Sequence, residues 1–233
     1  METASTARSE ATNATGEHPL GTNAAAILAT EHWSLIATRS LIWNEAMSRA
    51  TVFLTVLSAS IIALALMADA TGFGSHTTTV ALVLLPVVLL LGIATYVRLV
   101  QINIEEFKLV LAMNRLRHGY LTIAPGLEPY FTTGDRDDEP SLVRTYMIEH
   151  PSQRRLWVYF LVNTPTIVAT IDAALAAAIV VLVAQAVEAS VPVMVFGAAV
   201  VFVAMWATLL IVQWRTMHPF PKTPRFPSAP DPG

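Results

Sequence analysis

The sequence predicts an all-α membrane protein: four transmembrane helices in two hairpins, the first hairpin extended into the cytoplasm as a helical stalk. Three observations predict it. The 233 residues are 54% hydrophobic and only 13% charged, about half the charge of an ordinary soluble domain. The apolar residues gather into four blocks of roughly 20, the length a helix needs to cross about 30 Å of hydrocarbon. When the chain is threaded through those blocks, all 14 Lys and Arg fall on one side.

The elements follow in order. Residues 1–26 contain "METASTARSEATNATGEHPLGTN", rich in Ala, Thr, Ser and Glu. They lack the basic start and apolar core of a cleaved signal peptide, so a disordered tail is expected. A long helical hairpin occupies 27–118. Its first helix is expected over about 30–68, with Thr30 as a candidate N-cap. No Pro or Gly interrupts "ATEHWSLIATRSLIWNEAMSR" (29–49), and its apolar positions 28, 35, 36, 42, 43 and 46 keep to one face. It leads without a break into the first span, Ala50–Ala68. "DATGFGSHTT" (69–78) supplies Gly72 and Gly74 for a reversal.

The second helix is expected over 79–118. It carries the second span, Thr79–Val97, where Pro86 removes one ladder bond and predicts either a kink or repair by neighbouring groups. "RLVQINIEEFKLVLAMNRLRH" (98–118) then offers a stripe of Ile102, Leu109, Met113 and Leu116, with Gly119 placed to stop the helix. At 1.5 Å per residue each helix is about 60 Å long, twice the hydrocarbon thickness. The pair therefore reads as an antiparallel, coiled-coil stalk; the other reading breaks each helix at the membrane surface into an interfacial segment.

Residues 119–155 read as a cytoplasmic connector punctuated by Pro125, Gly126, Pro129, Gly134 and Pro140. "PSLVRTYMIEH" can form a short helix with Asp138 or Glu139 near its start. A second transmembrane hairpin occupies 156–215, with spans over 163–187 and 191–213; the third span has an alternative start near Gln153. Residues 216–233 hold Pro at 219, 221, 224, 227, 230 and 232, which predicts an extended, disordered tail.

Orientation follows from the basic residues. Arg8, Arg39 and Arg49 precede the first span, eight Lys and Arg lie within 98–162, and Arg215, Lys222 and Arg225 follow the last. The connections 69–78 and 188–190 hold none. Positive residues stay inside, so both termini are expected in the cytoplasm and the chain in the plasma (inner) membrane. Tyr96, Trp157, Tyr159 and Trp214 fall where an aromatic belt would mark the inner interface. A net charge of −3 without a basic cluster argues against nucleic-acid binding. With no Cys, thiolate metal sites and cysteine nucleophiles are excluded. No P-loop, GxGxxG, GxSxG or HExxH is present, so neither an enzyme nor a cofactor site is expected. In "GDRDDEP", Asp135, Asp137, Asp138 and Glu139 suggest either a divalent-cation site or, more simply, a solvated acidic loop.

One residue stands out. "TIVATIDAALAAAIVV" (166–181) is apolar but for its threonines and Asp172, a carboxyl about 4–7 Å from the bilayer centre. An acid there costs about 2.5–3.5 kcal/mol on insertion scales, and no Lys or Arg lies in any span to offset it. Hydroxyls are available: Thr51, Thr55 and Ser58 on one face of the first span, and Thr166 and Thr170 with Asn163 at the inner end of the third. Ala169, Ala173, Ala176 and Ala177 would let another helix approach closely. Three readings stand open: a carboxylate in a polar seam lining a permeation or proton path, a protonated acid hydrogen-bonding a neighbouring helix, or an acid at the interface. On the first, Asp172, Thr170, Thr166, Asn163, Thr51, Thr55 and Ser58 line the path.

The layout of "WNEAMSRATVFLTVLSASIIALAL" followed by "RLVQINIEEFKLVLAMNRLRHGYL" resembles bacterial multi-pass membrane proteins, and over residues 30–120 it is similar to SLATT-type membrane-hairpin effectors. That resemblance implies a pore-forming activity; the second hairpin is a departure from it, and no site residue carries over. The function expected is a homo-oligomeric ion channel or pore-like protein in the lipid bilayer, since four helices alone enclose no pore. The alternative is a membrane scaffold or signalling protein whose stalk binds a cytosolic partner.

Overall fold

The computed structural model describes residues 23–72, 74–146, 162–216 and 223–228. Among them the fold is all-α. Helix α1 is Ala24–Thr71, α2 is Ser75–Ile123, α3 is Glu139–Thr145, α4 is Thr164–Ala186 and α5 is Val191–Thr216. A 3-10 turn, Pro125–Tyr130, lies between α2 and α3. Four of these, α1, α2, α4 and α5, are long and apolar enough to cross a membrane. Of the expected disordered tail 1–26, residues 1–22 lie outside the described residues and Ala24–Ala26 already belong to α1; the alternative start of the third span near Gln153 and the aromatics Trp157 and Tyr159 also lie outside the described residues.

Several boundaries differ from the sequence reading, each for a local reason. Helix α1 starts at Ala24, so Thr30 is interior and its hydroxyl donates back to Ala26 O at 2.9 Å. Gly119 does not stop α2, which runs on to Ile123 until Pro125 denies the next turn its amide donor. Gly119 serves close approach instead: a β-carbon there would meet Leu28 Cδ1 at 3.0 Å. Pro86 lies within α2, which continues through it as one helix. The turn after α1 uses Gly72 at φ 77°, and Thr77 Oγ1 donates to Gly72 O at 3.0 Å. Asn163 caps α4, its side-chain oxygen accepting from Thr166 N at 3.0 Å, with Pro165 in the first turn. At the other end Glu188 adopts φ 54° and Ala189 N donates to Ala184 O, a Schellman-type stop.

The chain divides into two compact units. The first takes the described parts of residues 1–39, 109–149 and 220–233. Its centre is Asn114, fully buried, whose Nδ2 donates to Arg136 O while its Oδ1 accepts from Arg117 and from Thr145 Oγ1. That one amide ties α2 to the connector and to α3. Gly134 packs directly on Ser141, where a β-carbon would lie 2.1 Å from the carbonyl oxygen.

The second unit takes the described parts of 40–108 and 150–219. Phe53, Val88, Tyr96, Leu99, Val168 and Ala169 form its core, each at most 2% exposed. Helices α4 and α5 pack along each other. Arg98 grips Glu45 through Nε and Nη2 at 2.9 Å and reaches Glu105 at 2.8 Å, a bidentate fork that fixes α1 against α2. Arg98 and Arg49 together hold the Glu45 carboxyl down at about 2. The polarity is inverted relative to a soluble fold. Ser60, Thr77, Thr95, Thr166, Asp172 and Gln213 are inside, while Leu66, Val83, Leu90, Phe196 and Val203 are exposed. On α5 only Gln213 is buried. Hydrocarbon, not water, is the solvent that tolerates such a surface.

Candidate functional site

The site is built around Asp172, in the middle of the buried face of α4. That face holds Thr166, Ala169, Ala173 and Ala176, and its small side chains bring the α2 backbone close. Asp172 is 0% exposed. Its carboxyl lies against Gly92 of α2: a β-carbon on Gly92 would fall 1.8 Å from Asp172 Oδ1 and 2.8 Å from Cε2 of Phe53 on α1. Only glycine leaves room there. Both carboxyl oxygens are buried, and neither has a hydrogen-bond partner among the described residues. Three helices thus close around a carboxyl group and offer it an aromatic edge and a glycine backbone.

Towards the N-terminal end of α4 the neighbours become polar. Thr166 Oγ1 pairs with Gln213 Oε1 of α5 at 3.3 Å, and Gln213 is itself 0% exposed. Trp206 Nε1 of α5 donates to Thr170 Oγ1 at 3.0 Å. The Tyr96 hydroxyl of α2 donates to Leu209 O of α5. From Thr166 to Asp172 is six residues, about 9 Å of helix rise. Polar groups therefore gather at the capped end of α4, and on its buried face Val168 and Ala169 lie between Thr166 and the acid.

The sequence-predicted residues separate into two places. Thr166 and Asp172 share the buried face of α4, whereas Thr170 is exposed, its hydroxyl engaged by Trp206 and by Thr166 O. Asn163 is not beside the acid; it is the helix cap, its oxygen committed to Thr166 N. Thr51, Thr55 and Ser58 do not meet Asp172 either. They are exposed on α1, with Leu54, Ala59 and Ile62, along a shallow groove, whereas the α1 residue at the acid is Phe53. The reason is the register of α1: its sheltered seam runs through Ala46, Ala50, Phe53 and Ser60, which turns the hydroxyl face outward. Tyr96, expected in an interfacial belt, is 1% exposed inside the unit instead. Reasoning from sequence missed Gly92, Phe53, Trp206 and Gln213. A glycine within "PVVLLLGIATYV" and a glutamine at the end of an apolar span were the available signals.

The acidic connector also differs from both of its sequence readings. Asp137 is 0% exposed, so the loop is not solvated there, and its oxygens are spent on Arg115 Nε at 2.8 Å and on the backbone amides of Arg225 and Phe226. Among the described residues no cluster of His, Asp or Glu gathers to hold a metal ion. Comparison of the chain with protein-family models, with curated proteins and with solved structures found no match.

Proposed function

We propose that the chain is a homo-oligomeric membrane protein that conducts protons or a small cation, with Asp172 as the group that handles the charge. One observation carries the reading: a carboxyl at the depth of the apolar helices with both oxygens buried and unpartnered. An acid kept as adhesive between helices would give its hydrogen bond to a neighbour. This one has none among the described residues, so adhesion does not account for its cost. The buried pair Thr166–Gln213, on the same face of α4 as the acid, supports an approach from the N-terminal end of α4.

In this reading the plasma membrane holds two helical hairpins, with the Lys- and Arg-bearing segments and both termini in the cytoplasm. Helices α1 and α2 exceed the hydrocarbon about twofold, and their outer parts pair as an antiparallel stalk. The contacts Leu28–Gly119 and His32–Tyr120 in one unit, and Trp43–Glu106 and Glu45–Arg98 in the other, support that pairing. The exposed hydroxyls Thr51, Thr55 and Ser58 support self-association, since polar side chains on a membrane helix gain most from a protein neighbour. The resemblance of layout to SLATT-type effectors over residues 30–120 points the same way.

A second reading, a scaffold that docks a cytosolic protein, draws on Trp33 and Ile27, which are 71% and 67% exposed on the amphiphilic start of α1. Purification in mild detergent followed by reconstitution separates the two. Conduction predicts one discrete oligomer and a proton or cation flux in liposomes. A monomer that carries a stoichiometric soluble partner and passes no ion favours the scaffold.

A further inference from the structure

We infer that residues 225–228 are a peptide latch docked in cis on the unit built from residues 23–39 and 109–146, and that acid releases it through protonation of His118. The docking site is fully formed. Asp137, 0% exposed, accepts from the amides of Arg225 at 2.9 Å and Phe226 at 2.7 Å, and its own amide donates to Phe226 O at 3.4 Å. Asp138 accepts from the amide of Ser228 while its other oxygen caps α3 at Ser141 N. The Phe226 ring packs on the His118 ring with centroids 4.5 Å apart. The ligand recognised is therefore a short peptide that presents two successive backbone amides to one carboxylate and one aromatic side chain to the His118 ring. Arg115 supplies the remaining donor to Asp137, so the carboxylate keeps one partner when the peptide leaves.

His118 is the sensitive member. Its Nδ1 is buried without a hydrogen-bond partner, so a proton placed there finds no acceptor in the docked state. The charged groups that act on the ring are Arg136, which opposes the imidazolium, and Asp135 and Asp137, which favour it. Arg225 neighbours Phe226 on the peptide, and from α1 His32 packs on Tyr120, two residues along from His118. Burial first, and Arg136 second, hold the docked His118 below its ordinary value. A free ring titrates near 6.5. As pH falls through about 6.5 the undocked state takes up a proton that the docked state refuses, and docking weakens until the docked ring itself titrates. For Asp137 and Asp138 burial alone would raise the carboxyls, but the peptide's amides, with Arg115 at Asp137 and Ser141 at Asp138, outweigh it and hold both below the usual carboxylate range. Their contribution is present above the unperturbed carboxylate value and is lost as pH falls further. The two effects have the same sign.

The chain has no Cys, so a spin-label pair at Glu139→Cys and Pro227→Cys, both exposed, reports docking in the full protein in nanodiscs. At pH 7.5 a single short distance is expected, and at pH 5.5 most of that population is lost. Adding His118→Phe, which keeps an apolar ring and cannot titrate, should preserve the short distance at pH 5.5. Adding Phe226→Ala, which leaves the docking unit's own residues intact, should abolish it at both values. A long or broad distance at pH 7.5 overturns the latch. An unchanged short distance at pH 5.5, or release that persists with His118→Phe, overturns the assignment of the switch to His118.

Discussion

Replacing Gly92 with alanine is expected to destabilise the protein by about 1–3 kcal/mol, the cost of forcing an extra carbon into a packed core. The direction runs against local propensity. Alanine in place of glycine inside a helix ordinarily gains about 1 kcal/mol, so a loss would mean that the contact dominates. The new methyl would fall 1.8 Å from Asp172 Oδ1 and 2.8 Å from Phe53 Cε2. Either the carboxyl turns away or α2 and α4 move apart. Combining Gly92→Ala with Asp172→Ala removes the tighter of the two overlaps, so the double variant should be more stable than the two single effects added together. The rescue should be partial, because Phe53 still stands in the way. Thermal unfolding of the four proteins in one detergent measures the coupling, which for touching residues is about 0.5–3 kcal/mol. A stabilising Gly92→Ala, or additive single effects, would mean that the acid does not lie against this glycine.

Asp172→Asn is expected to leave assembly intact and to cut proton or cation flux in liposomes by about tenfold or more, equivalent to about 1.4 kcal/mol on the barrier. Asparagine matches the carboxyl in size, so it respects the space against Gly92 and Phe53 that a larger residue would violate. It cannot take up or release a proton near neutrality and carries no charge to offset a cation. Losing flux while retaining the elution volume and melting temperature separates a charge-handling role from a structural one. The stripe of Thr51, Thr55 and Ser58 provides the control: since it faces outward from the acid, Thr55→Val should alter self-association before it alters the intrinsic pH dependence of flux. Equal flux in wild type and Asp172→Asn would remove the carboxyl from the mechanism.

The apolar helices were legible because membrane length and a lack of charge leave a strong mark: the spans at 50–68, 79–97 and 191–213 fall within helices of the structure, and 163–187 exceeds its helix, Thr164–Ala186, only by the two capping residues. Their ends were less so. Gly119 looked like a stop and is a contact with Leu28, because a glycine's missing side chain serves either purpose and local sequence does not distinguish them. Which way a membrane helix faces was not legible at all. In water an apolar stripe identifies the buried face, but in hydrocarbon the lipid face is apolar too. The hydroxyl stripe of the first span therefore looked like the natural companion of Asp172, whereas Phe53, between Thr51 and Thr55 in sequence, turns the other side inward. Asp172 itself was visible from composition, but its neighbours Gly92 and Phe53 depend on the register between helices, which no single helix encodes. The same limit hid the pairing of Asp137 with the amides of Arg225 and Phe226, 88 and 89 residues away.

The most direct test of the membrane account is the side of the bilayer on which single cysteines, introduced into this cysteine-free chain, react with an impermeant thiol reagent in intact cells. The account predicts labelling from outside at the turns after α1 and α4, for example at Gly74→Cys and Ala189→Cys. Thr132→Cys and Pro227→Cys should label only once the membrane is opened. Labelling of Thr132→Cys or Pro227→Cys from outside, or a protein that stays in solution without detergent or lipid, would contradict it.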